Sequence, residues 1–147
     1  MKTKENKNKN PINKKIWLIL GGLAVLALFV VYGIQTFTKN LDNAPIEISV
    51  LDANKMRDEG AFILDVREPN EWEAVHIPGA TLIPLGELEN RISELPADQP
   101  IVVVCRSGNR SRTAANLLRS SGLNNVSSMS GGMNEWVRNS FEITAGP

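Results

Sequence analysis

The sequence predicts an α/β domain built on a small parallel sheet, preceded by one N-terminal transmembrane helix. From residue 46 onward, short β-branched runs alternate with segments of helical spacing, which is typical of parallel strands connected by helices. The run at 101–104, Ile-Val-Val-Val, contains no polar residue, as expected for a strand buried on both faces. Residues 16–34 contain no charged residue and form an apolar run long enough for a membrane span.

The N-terminal region is predicted to contain a lysine-rich tail at 1–15, a span at 16–34 and a polar linker at 35–45. At ~1.5 Å per residue the span is roughly 28 Å long, close to the ~30 Å hydrocarbon core of a bilayer. Six lysines precede the span, whereas only Lys39 closely follows it. The positive-inside rule therefore predicts a single-pass protein of the cell membrane, with a cytoplasmic N-terminus and an extracytoplasmic domain at 46–147.

A cleaved signal peptide is the competing interpretation of this region. It would require a shorter apolar run and a small-residue cleavage site, and residues 32–41 offer no such site. The lysine tail could in principle grip nucleic acid, but no aromatic residues are interleaved with the lysines. We therefore expect the membrane, and not nucleic acid, to be the partner of the tail.

A strand and a capped helix are expected to open the domain. Residues 46–51 are predicted to form the strand, and Asp52 is expected to cap a helix at 53–59. Gly60 is expected to end that helix. The run at 61–66, apolar except for Asp65, predicts a second strand, buried on both faces.

Three elements are expected in the middle of the domain. Residues 69–75 predict a short helix, and residues 80–83 predict a short strand. Apolar residues recur at helical spacing within 85–95, which predicts a helix that Pro96 ends.

The last part of the domain is expected to hold two strands and two helices. The strand at 101–104 is followed by a helix at 110–121, with Gly122 at its end. A strand at 126–129 and a helix at 131–139 complete the pattern. Because ligands of such sheets bind at the carboxyl ends of the strands, the loop directly after 104 is the first place to look for a site.

Cys105 is the only cysteine of the chain and follows that strand directly. The polar loop after it leads into a helix, so successive backbone N–H groups converge near the thiol and favour its nucleophilic thiolate form. A lone cysteine behind a valine run is most often a small core residue. The glycine and arginines that follow Cys105 instead favour a functional role.

The cysteine and histidine inventory excludes several classes of protein. One cysteine cannot form an internal disulfide, and without a Cys/His cluster no zinc site, and no other metal or cofactor, is expected. A cysteine–histidine hydrolase needs its base within hydrogen-bond reach of the thiol. The single histidine, His76, lies in a distant turn motif and is expected to be structural.

The loop after Cys105 resembles the C-x-x-G-x-R active loop of rhodanese-like sulfurtransferases. Three further segments agree with that family and occur in its order, so the resemblance covers roughly residues 46–140. A departure is Val75, where the family often has glycine. The matching residues are Cys105-Arg106-Ser107-Gly108-Asn109-Arg110, Leu64-Asp65-Val66-Arg67-Glu68, His76-Ile77-Pro78-Gly79-Ala80, and Gly131-Gly132-Met133 followed by Trp136.

The resemblance implies that Cys105 attacks a small anionic sulfane-sulfur donor, such as thiosulfate, a polysulfide or a persulfide. The resulting Cys105 persulfide would pass its sulfur to cyanide or a thiol. Asp65 and Arg67 are expected to support the loop, and Gly131-Gly132 to allow close backbone approach to it. Arg112 could add to a positive mouth. The residues expected to bind substrate are Arg106, Ser107, Gly108, Asn109, Arg110 and Ser111.

Two alternatives stay open at this point. Related phosphatases and arsenate reductases of this fold use a loop one residue longer, with arginine six positions after the cysteine. Here Arg110 is five positions after Cys105 and Ser111 is six, so the cradle should be too small for phosphate. The domain could instead be a membrane-tethered persulfide carrier that docks a protein partner, which the sequence does not identify.

Overall fold

The computed structural model describes the backbone of residues 12–41 and 46–147, and the side chains of residues 18–33 and 46–147. Contacts divide the chain into two units, Met1–Lys39 and Asn40–Pro147, and each is described by itself.

Helix α1, Ile12–Leu41, begins in the N-terminal unit and ends just beyond its boundary at Lys39. It is longer at both ends than the predicted span at 16–34. Residues 35–41, predicted as part of a linker, are helical. Residues 1–11 of the predicted tail and residues 42–45 of the linker lie outside the described residues. Within the part of the chain that is described, no helix combines the length and apolarity needed to cross a membrane. The predicted transmembrane helix is therefore not confirmed.

The domain is built on a five-stranded sheet in which all paired strands are parallel, as predicted. The spatial order is β1-β5-β4-β2-β3, so β4 lies at the centre. The bounds of β4 and β5 agree with the prediction. The strands are β1 (Glu47–Ile48), β2 (Phe62–Asp65), β3 (Thr81–Leu82), β4 (Ile101–Val104) and β5 (Val126–Met129).

Four helices and one 3₁₀ helix connect the strands and follow the last one. Their order agrees with the predicted alternation, and most bounds differ from the prediction by one to three residues. These elements are α2 (Val50–Asp58), α3 (Pro69–Ala74), the 3₁₀ helix at Leu88–Glu94, α4 (Asn109–Ser120) and α5 (Gly132–Arg138).

The first strand and helix of the domain differ most from the prediction. Helix α2 begins at Val50, so the predicted strand at 46–51 is too long. The N-cap is Ser49, whose hydroxyl accepts the Asp52 N–H at 3.1 Å. The prediction that Asp52 is the cap was wrong. The hydroxyl of Ser49, three residues before Asp52, accepts a backbone N–H that would otherwise have no partner in the first turn.

The segment predicted as a helix at 85–95 forms the shorter 3₁₀ helix. The predicted apolar face is nevertheless correct, since Leu88 and Leu95 are buried. Bonds of the i to i−3 type, such as the Leu95 N–H to the Ile92 carbonyl at 3.1 Å, tighten the turn.

Side chains from opposite faces of the sheet build two cores. Because side chains alternate along a strand, β4 contributes to both. Ile101 and Val103 join the core that contains α4 residues and Cys105, and Val102 and Val104 join the core that contains Trp136. This packing places the carboxyl end of β4 between its neighbours β5 and β2, and Cys105 comes next in the chain.

The C-terminal segment after α5 folds back onto α3 and α5. His76 and Thr144 exchange two backbone hydrogen bonds, at 2.8 and 2.9 Å. The Gly146 N–H donates to the Glu73 carbonyl at 2.9 Å, and the Trp136 indole N–H donates to the Glu142 carbonyl at 2.9 Å. We call residues 141–146 the C-terminal strap.

Candidate active site

Cys105 lies directly after β4 and is 1% exposed. The Gly108 N–H donates to its Sγ at 3.1 Å, and the Ser111 hydroxyl lies 3.6 Å from the same atom. Gly108 has a φ of +100°, a conformation that glycine adopts at little cost, and this turns the loop back over the sulfur. The loop therefore encloses the sulfur as the sequence predicts.

The surroundings of Cys105 act in opposite directions on its pKa. Burial alone would raise the pKa, because it removes water from the thiolate. Hydrogen bonds from the Ser111 hydroxyl and from the backbone N–H groups of Ser111, Ser107 and Gly108 outweigh burial and hold the pKa of Cys105 below its ordinary value. The site thus favours a thiolate without using a charged side chain as its main support.

A second buried hydroxyl lies behind Ser111. Ser128 Oγ, on β5, is 2.8 Å from Ser111 Oγ, and both serines are buried. The Ser111 hydroxyl also lies 3.0 Å from the Gly108 carbonyl, to which it can donate its single proton. When Ser111 turns that proton toward a Cys105 thiolate, Ser128 can donate to Ser111. Ser128 was missed in the sequence, although two adjacent serines in a buried strand are an unusual pattern.

Helix α5 holds the other side of the loop. The Met133 N–H donates to the Cys105 carbonyl at 2.8 Å, and the Asn134 N–H donates to the Arg106 carbonyl at 3.1 Å. A Cβ atom on Gly132 would lie 2.2 Å from the Cys105 carbonyl oxygen. The expected close approach of the double glycine to the loop is therefore confirmed, at Gly132.

Asp65 and Arg67 form a buried ion pair at the end of β2, the strand beside β4. Arg67 Nη2 lies 2.6 Å from Asp65 Oδ2. The same guanidinium donates to the Glu71 carbonyl at 3.1 Å and to the Val75 carbonyl at 2.7 Å. Through these two hydrogen bonds the ion pair fixes α3 and its C-terminal end relative to β2. Val75 has an extended backbone, φ −167°, which any residue can adopt.

Arg110 is held by the carboxylate of Glu71, which was not among the residues predicted from the sequence. Its Nη1 and Nη2 donate to Glu71 Oε2 and Oε1, each at 2.7 Å. The hydrogen bond from Arg110, assisted by the Glu68 N–H, lowers the pKa of Glu71 to about 2 against the opposing effect of burial. The spacing of Glu68 and Glu71, three residues apart at a helix start, is a capping-box signal that could have pointed to Glu71.

The expected positive mouth is largely neutralised. Arg112 pairs with Glu47 and lines neither of the clefts described next. Arg106 is exposed and has no ion pair within the described domain. Arg110 and Arg112 are paired with carboxylates, so the charge of Arg106 is the one available to a ligand among these three arginines.

Two clefts meet beside the loop and share Arg106 and Glu71. The first, of about 630 Å³, lies over loop residues and the start of α3. The second, of about 480 Å³, has apolar walls from Val75, Met133 and Val137. Residues lining the first cleft are Glu68, Asn70, Glu71, Arg106, Ser107, Asn109 and Arg110.

His76 has structural partners. Its Nδ1 lies 3.0 Å from the Trp72 carbonyl oxygen, and its ring stacks on the Trp72 ring with 3.6 Å between centroids. Both contacts join α3 to the turn that follows it, which agrees with the structural role expected from the sequence.

Comparisons with known proteins agree with this geometry. The "Putative sulfur carrier protein YrkF" of Bacillus subtilis (strain 168) is 41% identical over 116 residues, covering 77% of this chain. This chain spans 62% of that protein's length. The thiosulfate sulfurtransferase GlpE of Pseudomonas syringae pv. syringae (strain B728a) is 38% identical over 84 residues, which cover 57% of this chain and 79% of GlpE.

A solved structure shares the fold. The crystal structure of a rhodanese-related protein from Thermoplasma volcanium superposes with a TM-score of 0.64 at 30% identity, covering 68% of this chain and 98% of that one. The family model of the rhodanese-like domain matches residues 49–139, from the cap of α2 to the end of α5. With a parallel sheet, a cysteine loop at its central strand and these relatives, the chain belongs to the rhodanese-like domain family.

Proposed function

We propose that this domain is a sulfurtransferase that moves a sulfane sulfur through a persulfide on Cys105. The observation that carries the proposal is the enclosure of Sγ by N–H groups of Ser107, Gly108 and Ser111 and by the Ser111 hydroxyl. These donors stabilise an anion at the sulfur position. The same dipoles favour a persulfide anion formed there, because its negative charge lies near the same donors.

The reaction needs two displacements at sulfur. The Cys105 thiolate attacks the sulfane sulfur of the donor, forming an Sγ–S bond. The bond between that sulfur and the rest of the donor breaks, and its electron pair leaves on sulfite or a thiolate. Cyanide or a thiolate acceptor then attacks the outer sulfur, and the electron pair of the Sγ–S bond returns to Cys105. No general base in contact with Cys105 is required, because the donors around Sγ lower its pKa and favour the thiolate, which is the attacking form.

The geometry favours sulfur transfer over phosphate chemistry. A phosphatase needs its loop arginine free to clasp a tetrahedral anion, whereas both terminal nitrogens of Arg110 are bound to Glu71. Cys105 is also 1% exposed, so a reacting group has to reach into the loop. A terminal sulfane sulfur, which is bonded to one other heavy atom, is more compact than a phosphate monoester.

Mass spectrometry of the purified full chain after incubation with thiosulfate or an alkyl persulfide tests this proposal. The expected result is a mass increase of one sulfur atom that disappears on adding cyanide and does not form in Cys105→Ala. Arg119→Ala, remote from the loop, is a matched control that should still take up sulfur. Hydrolysis of an aryl phosphate without sulfur uptake would overturn the proposal.

A carrier role is the second candidate. It is favoured by the similarity to the protein named as a sulfur carrier, and by the apolar walls of the second cleft, Val75, Met133 and Val137. A carrier forms the same Cys105 persulfide but releases it to a partner protein. Slow turnover with cyanide or small thiols, together with fast transfer to a protein captured from membranes, would favour the carrier.

We also propose that the chain is anchored in the cell membrane by residues 16–34, with its domain on the extracytoplasmic side. The uncharged sequence of this stretch and the lysines before it support this proposal. Protease added to intact cells should degrade the domain, and alkaline carbonate should leave the chain in the membrane fraction. Protection from protease, or extraction by carbonate, would contradict the proposal.

A further inference from the structure

Arg110 belongs to the active loop by sequence, but its charge is directed to α3. The guanidinium makes two parallel hydrogen bonds of 2.7 Å to the Glu71 carboxylate. This fork-to-fork geometry is the strongest form of arginine–carboxylate pairing. The Arg110 side chain is 32% exposed and that of Glu71 is 22% exposed, so the pair is partly shielded from water at the rim of the first cleft.

Glu71 is held in place on several sides. Its carbonyl accepts from Arg67, which is itself paired with buried Asp65. Its Oε2 accepts the Glu68 N–H at 3.1 Å in the capping box of α3. The position of the carboxylate therefore follows from the fold and does not depend on Arg110 alone. Its pKa of about 2 keeps it charged at neutral pH.

The pair changes the charge that a donor meets. The first cleft is lined by Glu68, Glu71, Arg106 and Arg110, so its formal charges cancel. A dianion that enters gains attraction mainly from Arg106 and meets a fixed carboxylate beside it. Because Coulomb energies scale with charge, the loss of attraction from Arg110, which Glu71 holds, costs a dianion about twice what it costs a monoanion.

We infer that Glu71 is a specificity-determining residue that holds Arg110 away from the donor and thereby selects singly charged sulfane donors, such as thiosulfonates and alkyl persulfides, over the thiosulfate dianion. This inference rests on the proposed sulfur transfer through Cys105. It requires no change in the chemical step, because only the charge of the part of the donor outside the reacting S–S bond differs.

Thiosulfate and methanethiosulfonate form a suitable pair of probes. Both deliver one sulfane sulfur, with sulfite and methanesulfinate as the respective leaving groups, and they differ by one negative charge. The measurement is kcat/KM for each donor with cyanide as acceptor, and the result is the thiosulfate-to-thiosulfonate ratio. Using the ratio removes effects on Cys105 that are common to both donors.

Glu71→Gln should raise this ratio about tenfold, because it frees Arg110 for the second charge of the dianion. Glu68→Gln is the matched control, since it removes the same charge from the same cleft without releasing Arg110. It should raise the ratio by no more than about threefold. Adding Arg110→Gln to Glu71→Gln should return the ratio close to the wild-type value.

Glu71→Asp provides a second test if Glu71→Gln unfolds. It keeps the charge but withdraws the carboxylate by one methylene, so the two bonds to Arg110 cannot both form, and the ratio should rise part of the way. Equal ratios in the wild type and both Glu71 variants, or equal shifts in Glu71→Gln and Glu68→Gln, would overturn the inference. If neither donor loads sulfur onto Cys105, the proposed function itself fails, and mass spectrometry of the same samples separates the two failures.

Discussion

The floor of the active site, around Cys105, and its rim, at Arg110 and Glu71, are built from different kinds of chemical group. Around the sulfur of Cys105, the groups are neutral donors, namely backbone N–H groups and the hydroxyl of Ser111. At the rim, the groups are charged, and Arg110 and Glu71 neutralise each other. Neutral dipoles fixed by the backbone can stabilise a thiolate without attracting competing ions, whereas charges at the rim can respond to the charge of the donor.

This difference divides the work of the site. A change at the floor of the site should alter the reactivity of Cys105 toward every donor. A change at the rim should alter the preference among donors. The following predictions test that division, from the largest expected effect to the smallest.

Gly132→Ala should disrupt the floor of the site. The new Cβ would lie 2.2 Å from the Cys105 carbonyl oxygen, and the residue has a φ of +59°, so the loop has to move. We expect sulfur transfer to fall about a hundredfold with all donors, because misplacement of about 1 Å has this effect. The free energy of unfolding should fall by at least about 2 kcal/mol, measured by urea denaturation.

Gly122→Ala is the matched control for that variant. Gly122 also has a positive φ, +97°, but apart from its chain neighbours no heavy atom lies within 4 Å of its Cβ position. It should lose only about 1 kcal/mol, from backbone conformation alone, and keep its activity. Equal losses of activity in the two variants would show that contact with the loop is not what matters at Gly132.

Ser111→Ala should weaken the stabilisation of the Cys105 thiolate without moving the loop. Loss of the hydroxyl removes a hydrogen bond that lowers the pKa of Cys105, so the pKa should rise. The rate of iodoacetamide alkylation at neutral pH should fall about tenfold, as expected for a lost hydrogen bond to a charged group. The thiosulfate-to-thiosulfonate ratio should stay as in the wild type. An unchanged pH profile of alkylation would contradict the role given to this hydroxyl.

Glu71→Gln should reveal the charged character of the rim in acid. The pKa of Glu71 in the folded chain is about 2, below the usual 4.5, so its ionised form adds stability above pH 4.5. That stability is lost as the pH falls from 4.5 toward 2, when the carboxylate becomes protonated. The wild type should exceed Glu71→Gln by no more than about 1 kcal/mol at pH 6, because water screens a partly exposed pair.

The measurement for that prediction is urea denaturation of both proteins at pH 6, 4 and 3. The advantage of the wild type should shrink across this range, while the difference between Ser111→Ala and the wild type should not follow it. A constant advantage down to pH 3 would mean that Glu71 does not ionise as described.

Ser128→Ala should give the smallest effect. Ser128 does not contact the sulfur and acts through Ser111, whose hydroxyl lies 2.8 Å away. The alkylation rate at neutral pH should fall about two- to threefold, less than for Ser111→Ala. Combining the two substitutions should add nothing to Ser111→Ala, because Ser128 has no route to Cys105 without it. Additive effects would assign Ser128 a separate role.

Local sequence patterns predict much of this fold. The bounds of β4 follow from a β-branched run that begins after Pro100, and the predicted bounds of both β4 and β5 agree with the structure. The start of α2 was misplaced because Ser49 and Asp52 are both good caps, and their competition is decided by geometry. The segment at 85–95 kept its apolar face but adopted a tighter helix, which hydrophobic spacing alone does not distinguish.

The site was predicted where it is local in sequence and missed where it is not. Cys105, Gly108 and Ser111 lie within one loop and helix start, so their meeting could be expected. Glu71 lies 39 residues from Arg110, and Ser128 lies 17 residues from Ser111. Those pairs depend on which strands become neighbours, and strand order is not written in any single segment.

The C-terminal strap connects the two regions mechanically. It is hydrogen-bonded to Glu73, in the last turn of α3, to His76, just after α3, and to Trp136 on α5. Helix α3 carries Glu71, and α5 binds the carbonyl groups of Cys105 and Arg106. A tag or protease cut that loosens residues 141–146 should therefore disturb the nucleophile and the donor preference together, although none of these residues touches the sulfur.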